Sequence, residues 1–348
     1  MCDLTKATMM TMKNSRERIA VIGGGSWGTA LANRLAVNGH DVCLWAYEAE
    51  LVAEINGSHT NSLFLPDIQL HPGLKCSASL AEAAAGRDMV LLVTPVQVMR
   101  GVLKQLLPHI QAGAIIANAS KGIELETLRT VSQICAELLP TELTGRFVAL
   151  SGPTFAREVA QELPSLIVAA SRDADAARRV QAAFSCPCLR VYTNTDVIGV
   201  ELGGAVKNVI AIAAGICDGL GFGYNARAAL ITRGLAEMNR LGRAMGAEAA
   251  TFAGLAGMGD LVLTCTGDLS RNRTVGFKLG QGMRLADILA EMRMVAEGVK
   301  STESVYNLAR TLGVDMPIVE KTYQILHDNK PARAAVTELM ARGLKAEH

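Results

Sequence analysis

Three glycines near the start of the chain have the spacing of a phosphate-binding turn. Gly23, Gly25 and Gly28 follow a short apolar run at residues 18–22 and lead directly into an alanine-rich helical pattern. In such a turn the first glycine allows a sharp bend, the second lets the backbone approach a pyrophosphate, and the third lets the helix pack closely on the strand. The helix N-terminus adds free N–H groups and a partial positive charge. The strand–turn–helix context favours a dinucleotide site over a purely structural turn.

Lysines are the candidate proton carriers, because none of the six histidines lies in a glycine-rich or polar cluster at a predicted strand end. Lys121 follows a predicted strand, at the sheet edge where ligands bind in α/β proteins. Lys207 lies in an otherwise apolar helix, where a buried ammonium is costly unless it is paired or deprotonated. Asn208 and Glu201 predict a polar cluster around it, although a lysine in such a helix often extends to the surface instead. Lys300, in a charged turn, is interpreted as solvated.

A third polar stretch, residues 254–276, combines closely spaced glycines with charged and amide side chains. Asp260 follows three glycines, which indicate a close approach of the backbone to something small. The polar side chains that come after it include Thr264, Ser270, Arg271, Asn272 and Arg273. A guanidinium group binds phosphate oxygens through a bidentate pair of hydrogen bonds, so the functional interpretation is a phosphate site. An ordinary polar surface loop is the alternative.

Length and composition restrict the classes of function. A chain of 348 residues exceeds one compact core, and its net charge of +1 gives no reason to expect a nucleic-acid or membrane partner. The longest apolar stretches, such as residues 209–217, are too short to span a bilayer. The first sixteen residues are polar and Met-rich, which predicts a flexible tail rather than a signal peptide.

The eight cysteines are scattered, and the only close pair is Cys186 and Cys188. No second pair stands nearby to complete a zinc site, so no metal is expected. Free thiols without an export signal predict a cytoplasmic location.

Hydrophobic periodicity divides the chain into two parts. From residue 18 to about residue 195, strand patterns alternate with helical patterns, which predicts a doubly wound, mostly parallel sheet whose last strands extend it as a mixed sheet. Residues 51–72 are predicted as loop. Beyond residue 195 only helical periodicity occurs, with Pro317 in the first turn of one helix. We expect a flexible tail over residues 1–16, a dinucleotide-binding Rossmann domain over 17–195 and an all-helical substrate domain over 196–348.

The side chains after the second predicted strand, residues 41–45, leave the choice between NAD and NADP open. An acidic residue there holds the ribose of NAD, whereas a nearby arginine accommodates the 2′-phosphate of NADP. No Arg or Lys occurs between this strand and Lys75, which argues against a dedicated 2′-phosphate site. Glu48 lies slightly beyond the usual place for the acidic residue, and Tyr47 is placed to stack on an adenine.

Six motifs in order along the chain resemble those of the NAD(P)-dependent glycerol-3-phosphate dehydrogenase family. The matching segments are GGGSWGTALA at 23–32, SKGIE at 120–124, SGPTFA at 151–156, ELGGAVKNVIAIAAGI at 201–216, AGMGDLVLTCTGDLSRNRTVG at 256–276 and VAEGVKST at 295–302. The resemblance implies a Rossmann-type N-terminal sheet and an all-α, 6-phosphogluconate-dehydrogenase-like C-terminal domain. It also implies NAD or NADP as cofactor and the interconversion of dihydroxyacetone phosphate and sn-glycerol 3-phosphate, which supplies phospholipid synthesis.

The resemblance also implies roles for individual residues. Lys207 matches the family's proton acceptor, Lys121 would polarise the substrate oxygen, and Asp260 would bind the substrate and orient Lys207. The implied substrate contacts are Lys121, Gly152, Thr154, Lys207, Asp260, Ser270, Arg271 and Asn272. The implied cofactor contacts are Gly23, Gly25, Ser26, Trp27, Gly28, Tyr47, Lys121, Ala156, Arg271, Val295 and Glu297. Two departures stand out: many relatives carry a basic or histidine side chain in place of Tyr47, and Gly24 replaces a more usual alanine, which should be harmless.

Two other functions remain open on the residues alone. A 3-hydroxyacid or ketopantoate dehydrogenase of the same architecture would bind a carboxylate at Arg271 and Asn272. A non-catalytic nucleotide sensor would use the same sheet without needing Lys121, Lys207 and Asp260 together. A homodimer is expected, although the apolar helices of the second half fit a buried core as well as a dimer face.

Overall fold

An eight-stranded sheet forms the first half of the protein. The computed structural model describes residues 16–292, 296–344 and 346. Its strands are β1 (Arg18–Ile22), β2 (Asp41–Trp45), β3 (Lys75–Ser77), β4 (Met89–Leu92), β5 (Ile115–Asn118), β6 (Phe147–Ser151), β7 (Ser165–Ala170) and β8 (Leu189–Asn194). The sequence pattern predicts all of them except β3, which is only three residues long. Among the described residues, no strand follows β8.

The sheet is doubly wound, with the order β3-β2-β1-β4-β5-β6-β7-β8. Neighbouring strands are parallel from β3 to β6, β7 is antiparallel to β6, and β8 is parallel to β7. Apolar side chains on both faces are covered, so β4 and β5 are buried along their whole length. The expected doubly wound sheet with a mixed extension is confirmed. The carboxyl ends of β1, β4, β5 and β6 therefore meet at one edge.

The helices of this half connect the strands. They are α1 (Ser26–Val37), α2 (Ala49–Ser58), α3 (Leu80–Ala84), α4 (Val96–Leu106), α5 (Val131–Leu138), α6 (Thr141–Thr144), α7 (Ala156–Ala160) and α8 (Ala174–Phe184). The prediction of loop over residues 51–72 was wrong for its first eight residues, which belong to α2. Leu51 and Ile55 bury one face of that helix, and it ends at His59 in the left-handed conformation, with φ 53°. The Asn-Gly pair thus lies in the last turn of the helix rather than in a loop.

The second half is helical. Its elements are α9 (Val197–Gly219), α10 (Gly223–Ala244), α11 (Ala249–Ala253), a π-helical turn (Leu255–Gly259), α12 (Asp260–Thr266), α13 (Arg271–Gly280), α14 (Leu285–Glu291), α15 (Glu297–Thr311), α16 (Pro317–His327) and α17 (Ala332–Met340). The sequence pattern before Asp260 indicates a glycine-rich loop, but these residues form the π-helical turn. Pro317 occupies the first turn of α16, as predicted.

Helix α9 is the central element of the helical half. By length and composition it is the one helix among the described residues that is apolar enough to cross a membrane, and 89% of its most apolar window is buried inside the protein. The other helices pack around it, and two glycines allow α13 to lie especially close. A Cβ on Gly215 would lie 2.0 Å from the Arg273 carbonyl oxygen, and one on Gly276 would lie 2.0 Å from the Ile212 carbonyl oxygen. This backbone contact fixes the start of α13 relative to α9.

Substituting Gly215 tests this contact, and Gly101 provides a matched control. Gly215→Ala should lower the free energy of unfolding by about 1–3 kcal/mol or more, because the new methyl group meets backbone atoms that cannot move independently. Gly101 lies in α4, and a Cβ added there would have no neighbouring atom within 4 Å, so Gly101→Ala should raise stability by about 0.5–1 kcal/mol. Urea unfolding of both variants measures the difference. Equal effects would contradict the close packing of α9 and α13.

Candidate active site

One cleft of about 360 Å³ lies between the carboxyl edge of the sheet and the helical half. Both halves of the chain contribute side chains to its walls. The lining residues are Ser26, Trp27, Phe64, Leu65, Pro66, Val93, Ala119, Ser120, Lys121, Thr154, Phe155, Ala156, Arg157, Lys207, Asn208, Thr264, Leu269, Ser270, Arg271, Asn272, Ala296 and Glu297. Many of the residues singled out in the sequence therefore meet in a single cavity.

The glycine turn after β1 reaches this cleft through Ser26 and Trp27, whereas Gly23, Gly25 and Gly28 are not among the residues that line it. Gly23 has φ +133°, and a Cβ there would lie 2.7 Å from the Val93 carbonyl oxygen. A Cβ on Gly28 would lie 1.9 Å from the Gly23 carbonyl oxygen, so both positions are closed to larger residues. In front of Gly25, by contrast, no protein atom lies within 4 Å of a Cβ position. This open space at the N-terminus of α1 fits the pyrophosphate of a dinucleotide.

A carboxylate shared by two lysines lies behind the wall of the cleft. Lys207 Nζ donates to Asp260 Oδ1 at 2.6 Å, and Lys121 Nζ donates to Asp260 Oδ2 at 2.6 Å. Lys207 Nζ also donates to the Thr264 hydroxyl at 2.9 Å, and Lys121 Nζ lies 3.5 Å from the Gly152 carbonyl oxygen. Asp260 has no exposed surface, whereas both lysines reach the cavity wall. Asp260 thus contacts the lysines from behind rather than facing the cavity.

The proton affinity of Lys207 is set by this environment. Burial lowers its pKa to about 8; the attraction of Asp260 opposes that effect, and the nearby Lys121 ammonium reinforces it. A lysine with such a pKa exchanges its proton readily near neutral pH. Lys207 can therefore act as a proton donor or acceptor toward a molecule in the cleft.

Close backbone packing places Asp260 beside the lysines. A Cβ on Gly203 of α9 would lie 2.3 Å from the Ala256 carbonyl oxygen, and one on Gly257 would lie 2.2 Å from the Phe252 carbonyl oxygen. These glycines press the π-helical turn against α9 and α11, and Asp260 begins the next helix. The prediction that the glycines of this stretch approach a small ligand was therefore wrong for Gly257, since its neighbour is protein backbone.

The first turn of α13 lies at the wall of the cleft. The Ser270 hydroxyl caps this helix by accepting from Arg273 N at 3.2 Å, while Arg271 and Asn272 line the cavity. Asn272 Oδ1 accepts from Gly298 N at 3.0 Å, which leaves its amide NH₂ as the group able to donate to an anion. Arg273 instead pairs with the buried Asp218 at 2.9 Å and holds the helix in place. The first turn of α13 thus brings a guanidinium group and an amide to the cavity wall, a combination that favours an anion.

The remaining predicted site residues are distributed along the cleft. Thr154 and Ala156 line it, and Gly152 lies behind Lys121. Glu297 also lines it, and burial raises the pKa of its carboxyl group against the attraction of Arg271. Tyr47 is 82% exposed and is not part of the cavity wall. Val295 lies outside the described residues.

Two features of the site differ from the sequence interpretation. Glu201 does not join the Lys207 cluster: its carboxylate accepts from Ser132 N at 2.8 Å and from the Ser132 hydroxyl at 2.5 Å, at the N-terminus of α5. The wall formed by residues 64–66 was missed, because a Phe-Leu-Pro sequence in an irregular segment carries no chemical signal of its own. Asn61, which precedes Phe64 by three residues, is the polar residue from which this wall could have been predicted.

Comparison with known proteins identifies relatives over nearly the whole chain. The family model for the NAD-dependent glycerol-3-phosphate dehydrogenase N-terminus matches residues 18–177, and that for the C-terminus matches residues 196–337. Glycerol-3-phosphate dehydrogenase [NAD(P)+] of Trichlorobacter lovleyi is 70% identical, and that of Geobacter metallireducens is 68% identical; each alignment covers 95% of this chain and 99% of the relative. The crystal structure of glycerol-3-phosphate dehydrogenase from Coxiella burnetii superimposes with a TM-score of 0.90 at 40% identity, covering 94% of this chain and 99% of that one.

Removing the shared carboxylate tests how strongly the lysine cluster depends on it. Asp260→Ala should lower the free energy of unfolding at pH 7 by about 3–5 kcal/mol, because two buried ammonium groups lose their counter-ion. The loss should shrink toward pH 10, where Lys207, with its pKa of about 8, has released its proton. Asp268→Ala is the control, since that side chain is 97% exposed and its ion pair with Arg273 is worth at most about 1 kcal/mol. Denaturant unfolding at both pH values measures these effects, and an equal loss in the two variants would show that the lysines do not depend on Asp260 as their counter-ion.

Proposed function

This chain belongs to the NAD-dependent glycerol-3-phosphate dehydrogenase family, and on that premise we propose how its cleft interconverts dihydroxyacetone phosphate and sn-glycerol 3-phosphate. The observation that carries the proposal is the buried Lys207, which has a lowered pKa and opens into the same cavity as an anion-binding helix terminus. This pairing of a proton carrier with an anion site suits a small phosphorylated ketone or alcohol.

Lys207 is the proposed proton carrier. In the direction of reduction its ammonium group gives a proton to the carbonyl oxygen of dihydroxyacetone phosphate, and in the direction of oxidation its neutral amine takes the proton of the hydroxyl group. Lys121 polarises the same oxygen by its positive charge. Asp260, which has no exposed surface, serves to orient both lysines from behind. This assignment differs from the implied direct contact between Asp260 and substrate, because Asp260 is fully buried and is not among the residues that line the cavity.

The phosphate group is proposed to bind at the start of α13. Arg271 supplies a guanidinium group, Asn272 supplies its amide NH₂, and Ser270 caps the helix so that its terminal N–H groups face the anion. Gly152 and Thr154 complete the substrate end of the cleft. The phosphate would thus be held by the helical half, while Lys121 contributes from the sheet.

The cofactor is NAD or NADP, and the residues proposed to hold it begin at the glycine turn. Gly23, Gly25 and Gly28 shape the pyrophosphate site. Ser26, Trp27, Ala156, Arg271 and Glu297 are the further proposed contacts that line the cleft. When bound, the nicotinamide supplies or accepts the hydride. Tyr47, at 82% exposure, is free to cover an adenine, and no Arg or Lys occurs between β2 and Lys75 to favour a 2′-phosphate.

Four further properties of the protein are proposed from the family and the sequence. We propose a division between a dinucleotide-binding domain ending near residue 195 and a helical domain from residue 196, supported by the start of α9 at Val197. A homodimer, a cytoplasmic location and a supply of glycerol 3-phosphate for phospholipid synthesis complete the proposal.

Turnover with defined substrates tests the reaction. The oxidation of NADH and of NADPH is followed by nicotinamide absorbance with dihydroxyacetone phosphate, and separately with 2-keto acids, 3-keto acids and ketopantoate. Turnover with the phosphate substrate is expected. Turnover with a keto acid alone would favour the carboxylate alternative, and cofactor binding without any turnover would favour a nucleotide sensor.

Lys207→Ala should lower kcat by roughly 10²–10⁴-fold, the usual contribution of one general acid–base group. In the unaltered enzyme, kcat/KM for reduction should fall as the pH rises through about 8, because the ammonium form is required; kcat/KM for oxidation should rise over the same interval. Lys300→Ala, which removes an exposed lysine on α15, is the control and should change neither rate nor profile. A pH profile unaffected by loss of Lys207 would exclude it as the proton carrier.

Arg271→Ala should raise KM for dihydroxyacetone phosphate by roughly 10- to 100-fold, the effect of losing a charge-assisted hydrogen bond. Steady-state kinetics at saturating cofactor measure this change. Arg284→Ala is the control, because Arg284 pairs with Asp287 on the surface at 2.8 Å. An unchanged KM in the Arg271 variant would place the phosphate elsewhere in the cleft.

A further inference from the structure

A connection without regular structure forms one wall of the cleft beside the glycine turn. It joins α2 to β3, and its residues Phe64, Leu65 and Pro66 line the cavity together with Ser26 and Trp27. Hydrogen bonds hold it in place. The Ser26 hydroxyl donates to the Phe64 carbonyl oxygen at 2.5 Å, and Leu65 N donates to the Asn61 carbonyl oxygen at 2.9 Å.

The side chain of Asn61 ties this wall to the turn. It has no exposed surface. Its amide NH₂ donates to the Gly24 carbonyl oxygen at 3.0 Å and to the Thr29 hydroxyl at 2.8 Å, while its Oδ1 accepts from Phe64 N at 2.9 Å. Two acceptors on one side and an N–H donor on the other define the orientation of the amide group. One buried residue thus bridges the glycine turn, α1 and the cleft wall.

The bond to Gly24 controls the direction of a neighbouring N–H group. In a trans peptide the carbonyl of one residue and the N–H of the next point in opposite directions. Asn61 and the Thr29 hydroxyl, which donates to the same oxygen at 3.0 Å, hold the Gly24 carbonyl toward the protein interior. The N–H of Gly25 is therefore directed away from Asn61 and Thr29. Gly25 is also the glycine at which an added Cβ would meet open space.

We propose that Asn61 is a positioning residue for dinucleotide binding. By holding the Gly24 carbonyl it presents the Gly25 N–H to the cofactor pyrophosphate, and by holding Phe64 it sets the distance between the cleft wall and the glycine turn. The inference rests on one part of the proposed function, namely that NAD or NADP binds at the glycine turn. It does not depend on which substrate is reduced.

The affinity for the dinucleotide measures this role. Asn61→Ala should raise the dissociation constant of NADH and of NADPH by about tenfold or more, the change expected when one or two net hydrogen bonds that preorganise a site are lost. The titration follows nucleotide fluorescence in the absence of substrate. At saturating cofactor, KM for dihydroxyacetone phosphate should change less than about twofold, since Arg271 and Asn272 lie in the other half of the protein.

Asn33→Ala is the matched control. Asn33 is 5% exposed and accepts from His71 N at 2.7 Å, so it anchors the same connection at a point outside the cavity wall. Its loss should lower stability without raising the dissociation constant more than about twofold. An equal rise of the dissociation constant in both variants, or no rise in Asn61→Ala, would overturn the proposal.

Thr29→Val provides a second route if Asn61→Ala does not fold. It removes one acceptor of the Asn61 amide and one donor to the Gly24 carbonyl with little change of shape. A dissociation constant raised about threefold or more is expected, and an unchanged value would overturn the proposal. If the unaltered protein bound NADH but did not turn over dihydroxyacetone phosphate, the proposed function would be wrong. The role of Asn61 in dinucleotide binding could still be tested.

Discussion

A single buried carboxylate holds the reactive centre together. Asp260 accepts from Lys207 and Lys121 through separate oxygens, each at 2.6 Å, with no exposed surface of its own. Two ammonium groups in a low-dielectric region would repel each other and lose their hydration, so this anion is what makes their proximity tolerable. One positive charge remains in excess when both lysines are protonated. That excess lies at the cleft wall, while burial, reinforced by the Lys121 ammonium, lowers the pKa of Lys207 against the attraction of Asp260.

The position of Asp260 depends on how tightly the helical half is packed. The π-helical turn before it lies against α9 and α11 because Gly203 and Gly257, respectively, carry no side chain at the points of contact. The same helix α9 carries Lys207 and touches the backbone of α13 through Gly215. Lys207 and the first turn of α13, which are the proposed proton carrier and phosphate site, are therefore fixed on one packed core. The distance between them is set by backbone contacts.

The sheet contributes the other half of the site through its topology. The ends of β1, β4, β5 and β6 meet at one edge, and this places the glycine turn, Lys121 and Gly152 along the same cleft. Several of these residues could be predicted from the sequence because their motifs carry their own chemistry. Glu201 was assigned wrongly because spacing along a helix does not reveal which face a buried carboxylate takes; here it faces the N-terminus of α5. The helix at residues 49–58 was missed because its Asn-Gly pair resembles a turn signal.

The sequence alone determined the fold class, every strand except β3, most of the helices, the glycine turn and the family, because periodicity and motif spacing are local properties of the chain. Only the tertiary structure decided that Asp260 lies behind the lysines, that the glycines before it meet protein backbone, and that Asn61 joins an irregular wall to the glycine turn. The contacts of Asn61 with Thr29 and of Lys121 with Asp260 span 32 and 139 positions of the chain. Such contacts depend on how whole elements pack, and no local pattern records them.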